Sequence, residues 1–87
     1  MHAVVVKVTI NELEAATSAL QEQVVPRASQ APGFVAGYWT RKDNEGLSMI
    51  VYESEDAARA VSEQIPSGIP EAVTLDEVEV REVVANA

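Results

Sequence analysis

The chain contains no cysteine. That excludes disulfides, thiolate zinc sites and cysteine nucleophiles together, and it agrees with a reducing compartment. Its one histidine, His2, stands next to the first methionine, so neither a metal nor a cofactor is expected. Positive charge is scarce: six Lys and Arg stand against fourteen Asp and Glu, a formal net charge of -8. Such a surface repels a nucleic-acid backbone or an anionic membrane, and neither is expected as a partner. Long apolar runs are missing as well. Ala3 to Val6 is followed at once by Lys7, and nothing approaches the roughly eighteen apolar residues of a membrane span. The start of the chain has no secretory pattern, which points to the cytoplasm. Phosphate-binding glycine loops, serine-nucleophile elbows and zinc-ligand spacings are absent too.

At 87 residues the sequence has room for one core, so a single domain spanning 1–87 is expected. A domain of this size buries only about 60% of the surface its unfolded chain exposes. With disulfides and metals excluded, self-association is the remaining source of extra burial.

The apolar periodicities give an order of elements. Ala3–Ile10 is a β-branched run expected to form a strand. Asn11 and Glu14 have capping-box spacing, and Leu13, Ala16, Leu20 and Val24 then recur as a helical stripe that Pro26 should end or kink near Val24. Ala31-Pro32-Gly33 is a turn, Phe34–Lys42 a second strand, Asp43-Asn44-Glu45-Gly46 another turn, and Leu47–Glu53 a third strand. Ser54 is placed to cap a second helix that carries Glu55 and Asp56 in its first turn. In that helix Ala57, Ala60, Val61 and Ile65 share a face, and Pro66-Ser67-Gly68 with Pro70 ends it. Glu77–Val84 alternates as a last strand, with residues 85–87 as a frayed tail. Val73 and Leu75 are out of phase with Val78 and Val80, which calls for a bulge or a separate extended segment. The layout is βαββαβ: an α+β ferredoxin-like fold with a four-stranded antiparallel sheet and both helices on one face.

Two helices cover only one face of such a sheet, yet both faces carry apolar residues. Val4, Val6, Val8 and Ile10 oppose Val5, Leu47, Met49 and Val51 oppose Ile50 and Tyr52, and Phe34 and Tyr38 oppose Val35 and Trp39. An uncovered face of this kind is an apolar patch of several hundred Å² and implies a homodimer paired through one self-complementary contact. Glu77, Glu79 and Glu82 suit an edge strand that resists further pairing.

The stretches Val5-Val6-Lys7-Val8-Thr9-Ile10, Ala31-Pro32-Gly33-Phe34, Gly37-Tyr38-Trp39 and Val51-Tyr52-Glu53-Ser54-Glu55-Asp56-Ala57-Ala58 together resemble the dimeric α/β-barrel superfamily. Within it they resemble the small antibiotic-biosynthesis-monooxygenase-like proteins. The resemblance implies two sheets paired as a dimeric barrel. Its known enzymes oxidise polyketide-type aromatic substrates without a metal or flavin, or break down haem; many other members have no assigned activity. In the catalytic members a Trp-Glu-Ser stretch ends the third strand, and Tyr52 takes the tryptophan's place here. Ser48 stands where some oxygenases carry Asn. The strand-one Asn of the haem-degrading members falls near Val6, and their helix-two His has no counterpart, which disfavours haem degradation.

If Tyr52 faces a cavity and the hairpin loop has an even number of residues, Ser48, Ile50, Gly37, Trp39 and Arg41 share its side, with Gly37 opposite Tyr52. Together with Val6 these residues are the expected wall of a ligand pocket. Trp39 and Tyr52 read equally as core or interface aromatics, Arg41 as a solvated charge beside Lys42, and Glu77 with Glu79 as an exposed edge rather than a catalytic pair. No catalytic residue is assigned. The first functional expectation is a dimer that binds a small apolar or aromatic ligand. The second is a cofactor-independent monooxygenase acting on an aromatic or polyketide-like substrate, and the third is an interaction module without a ligand.

Overall fold

The computed structural model covers residues 1–87. Four strands, β1 (His2–Ile10), β2 (Phe34–Lys42), β3 (Glu45–Tyr52) and β4 (Val73–Glu82), form one antiparallel sheet in the order β2-β3-β1-β4. Between β1 and β2 runs a helical rod made of α1 (Leu13–Ala19), a π-helical turn (Leu20–Val24) and α2 (Val25–Gln30). Between β3 and β4 lies α3 (Glu55–Gln64), followed by a short 3₁₀ turn (Pro66–Gly68). This is the ferredoxin-like βαββαβ arrangement, with both helical segments on one face.

Pro26 does not end the first helix. It sits in the first turn of α2, directly after the π turn and inside a rod whose backbone stays helical on both sides of it. The widened π turn just upstream takes up the clash that its ring would make with an ordinary α-helical turn, and the rod continues to Gln30. The capping box is not formed either. Glu12 is the N-cap, without a side-chain bond, and Asn11 Nδ2 instead donates to Thr74 Oγ1 on β4 at 3.0 Å. Ser54 does cap α3, its Oγ accepting from the Ala57 amide at 3.1 Å. On α3 the buried position is Ala58 rather than Ala60, which is exposed. Val61 and Ile65 follow Ala58 at helical steps and complete the packed face.

The β2–β3 loop has two residues, and Asp43 at φ 55 makes the turn in the left-handed region that Asp tolerates. β3 therefore starts at Glu45 instead of Leu47. β4 starts at Val73 and runs unbroken through the phase change: Lys7 pairs with Glu77 and Val8 with Leu75, so Asp76 is the extra residue of a bulge. Its carboxylate accepts from Thr9 Oγ1 at 2.7 Å.

A second bulge lies near the start of β2. Phe34 pairs with Tyr52 and Ala36 with Val51, leaving Val35 unpaired. Phe34 consequently joins Tyr52 on the helix-covered face, ring edge to ring face with centroids 6.0 Å apart, while Tyr38 points to the open face. Gly37 lies opposite Ile50, not Tyr52. The simple alternation expected for this strand fails at that one extra residue.

The core is small. Ten of 87 residues are buried, centred on Val4, Val6, Ile50, Tyr52 and Ala58. α3 approaches β1 and β4 closely and α2 approaches β2, but neither α1 nor the π turn comes comparably near any strand. Under that half of the rod the sheet is not sealed.

Candidate functional site

The gap beneath the rod is a cavity of about 250 Å³. Its floor is the helix-facing side of β1, β2 and β3: Val6, Val8 and Ile10, Trp39, and Ser48 with Ile50. Its roof is the stripe of the rod, Leu13, Ala16, Leu20 and Val24, and its far wall is Val61, Ile65 and Val73. The stripe that reads in sequence as ordinary packing is thus the ceiling of an open space, which is why Leu13 stays 46% exposed. An enclosed apolar cavity of about 150 Å³ accepts benzene. This one has room for a bicyclic aromatic ring.

Five of the seven residues expected at a pocket wall line this cavity: Val6, Trp39, Arg41, Ser48 and Ile50. Val6, Ser48 and Trp39 form one row across the sheet, because Val6 pairs with Ser48 and Ser48 with Trp39. The other two expected residues do something else. Gly37 is covered: the Trp39 ring folds back along β2, so that a Cβ at Gly37 would fall 2.6 Å from it. The glycine is what lets the indole lie flat against an edge strand and form the end of the cavity floor. Tyr52 is fully buried. Its hydroxyl donates to the Ala28 carbonyl at 3.0 Å, tying the end of β3 to α2. Burial raises its phenol above the ordinary value of 10.0. It is a neutral strut outside the cavity lining, not a cavity base.

The polar groups around the cavity are Thr17, Arg27, Thr40, Arg41, Ser48 and Gln64. None of the fourteen Asp and Glu residues is among the lining, and neither a histidine nor a tyrosine is. Arg41 Nη1 donates to the Asp43 carbonyl at 2.8 Å within its own hairpin. Arg27 escaped the sequence reading, although it falls three residues after Val24 and so continues the helical stripe. Elsewhere, no group of three or more His, Asp or Glu side chains comes together as a metal site. No helix is long and apolar enough to cross a membrane.

The other face of the sheet carries two apolar rows. Ala36, Val51 and Ala3 form one, and Tyr38, Met49 and Val5 the next, each ending on β4 at Arg81 and Glu79 respectively. Leu47 extends the patch between Thr40 and Lys7. Tyr38, on the edge strand β2, is 66% exposed, and Met49 and Leu47, on the inner strand β3, are each 47% exposed. The charged residues of this face gather on β4 and its neighbour, as Lys7 with Glu77 at 3.5 Å and Arg81 with Glu79.

No protein-family model and no curated protein matches the sequence. Among solved structures the chain is similar to a dimeric ferredoxin-like protein from an uncultured marine organism, with a TM-score of 0.66 and 13% identity, over 100% of this chain and 98% of that one. At that identity the likeness is one of fold, and it agrees with the sheet order and helix placement described above.

Proposed function

We propose that the chain is a one-domain cytoplasmic homodimer, paired through the open sheet face, that binds a small apolar or aromatic molecule in the cavity under α1. The observation that carries the ligand reading is the cavity itself: an apolar stripe held away from an apolar floor, with a few polar groups around it, which is the usual make-up of a small-molecule site. The Tyr38–Met49–Val5 row supports the pairing, since exposed apolar patches of this kind mark interfaces. The marine neighbour of the same fold is described as dimeric. This reading sets the chain beside the dimeric α/β-barrel proteins of the antibiotic-biosynthesis-monooxygenase-like type.

Within that group, oxygenation of an aromatic or polyketide-like substrate ranks second. Such chemistry needs a group to take a proton from a phenol-like substrate. The best candidate, Tyr52, is sealed away with its proton committed to Ala28. An interaction module without a ligand would have no use for the space under α1.

The test has two arms. Calorimetric titration with naphthalene-2-carboxamide, a neutral bicyclic probe, should show saturable binding that Ser48→Phe abolishes by filling the floor. Sedimentation should show a dimer that Met49→Lys splits, because a two-fold contact would bury the new charge twice. No binding, or a folded wild-type protein that sediments only as single chains at micromolar concentration, would remove the corresponding half of the proposal.

A further inference from the structure

We infer that the ligand of this cavity is an anionic amphipath, an aromatic or acyl body ending in one carboxylate, and that Arg27 receives the carboxylate. This rests on the ligand-binding reading above and adds the charge of the ligand to it. The chain has six Lys and Arg in all. Three of them are paired with carboxylates: Lys7 with Glu77, Arg59 with Glu55 and Arg81 with Glu79. Two of the three without an acidic partner, Arg27 and Arg41, line the cavity. The acids outnumber the cations by fourteen to six, yet none lines it. In so acidic a protein this is the reverse of what an indifferent surface would show, and it leaves the cavity with positive charge only.

The two arginines are not equivalent. Arg41 is partly engaged by the Asp43 carbonyl. Arg27 makes no ion pair and no hydrogen bond, so all five of its guanidinium N–H donors are free, in a fork that matches a carboxylate. The guanidinium lies against the bare backbone of the 3₁₀ turn, where a Cβ on Gly68 would come within 2.5 Å of Arg27 Nη1. It is also at the right place in the sequence, one turn beyond Val24 on the ceiling of the cavity. An apolar body packed against Leu20, Ile50 and Trp39 would therefore carry a terminal carboxylate out toward Arg27, where solvent access spares the charge a full desolvation cost.

The experiment compares two probes of nearly equal shape, naphthalene-2-carboxylate and naphthalene-2-carboxamide, by calorimetry at pH 7 and low salt. The expected result is a carboxylate affinity about tenfold or more above that of the amide, the scale of a charge-assisted contact at a partly solvated site. Arg27→Gln should erase most of that preference and Arg41→Gln a smaller part, each read as the ratio of carboxylate to amide affinity within the same variant. Lys42→Gln, the third cation without an acidic partner, should change nothing. Thermal unfolding of each variant checks that it is folded. Equal affinity for the two probes would overturn the anionic-ligand inference and leave the cavity reading standing. A preference that survives Arg27→Gln would overturn the role of Arg27. Failure of both probes to bind would overturn the cavity reading and this inference together.

Discussion

The two helical halves of this molecule meet the same sheet in different ways. α3 begins with a true cap at Ser54, carries a glutamate–arginine pair one turn apart at 3.0 Å on its exposed side, and presses Ala58 flat onto β1 and β4. The rod from 13 to 30 starts without a side-chain cap, widens into a π turn, and closes on the sheet only at its far end, where Ala28 accepts from Tyr52. Small residues bring α3 down, whereas larger leucines and a valine on the rod stand over a space they do not fill. One half is built for stability. The other keeps an apolar surface available, and holding it open costs the protein core packing that an 87-residue chain can hardly spare.

The largest effect that would sharpen this contrast is expected at the strut between the halves. Tyr52→Ala removes a fully buried ring and should cost about 3–5 kcal/mol in urea unfolding, whereas Leu20→Ala on the ceiling should cost less than about 1 kcal/mol because few atoms pack against it. Equal losses at the two sites would mean that the rod is as tightly packed as α3.

A smaller effect is expected from Tyr52→Phe. It keeps the ring but leaves the Ala28 carbonyl without its donor, at a cost of about 1 kcal/mol. Because burial raises the phenol in the folded state, the unfolded chain loses that proton first as the pH rises. The contribution is therefore intact below about pH 10, the unfolded value, and is lost as the pH climbs through the folded value. Urea midpoints measured from pH 8 to 11 should fall more steeply for the wild type than for Tyr52→Phe; parallel curves would show that the hydroxyl is not sealed.

The smallest change, and one of opposite sign, is expected from Ser48→Phe. Filling the cavity floor should leave stability unchanged or raise it by about 0.5–2 kcal/mol. A clear loss would show that the space is already occupied by protein.

Much of the fold was legible because its signals are local. The bounds of β2, the cap at Ser54, the end of α3 before Pro66 and the phase change that became the Asp76 bulge are all written in neighbouring residues. What misled involves partners distant in sequence or a residue that leaves no mark. Asn11 gives up its capping role for Thr74, 63 positions away. Tyr52 turns from pocket wall to strut because of Ala28, 24 positions away. The bulge at Val35 carries no glycine or proline of its own, yet it moves Phe34 to the covered face; Gly37 faces Ile50 instead of Tyr52 because the hairpin loop has two residues rather than four. Of the candidate site, the floor was visible as alternation on β1, β2 and β3. The ceiling was visible only as a stripe, since periodicity tells which side of a helix is apolar and not how far that side stands from the sheet. Arg27 was hidden for a related reason, because the helix was expected to stop before reaching it.

The most direct measurement of the central claim is the set of intermolecular nuclear Overhauser contacts between bound naphthalene-2-carboxamide and the methyl groups of the full chain. Contacts to Leu13, Leu20 and Ile50 are the predicted result. Contacts confined to Leu47, Met49 and Val5 would contradict it, because they would put the ligand on the open face of the sheet and leave the space under α1 without a function.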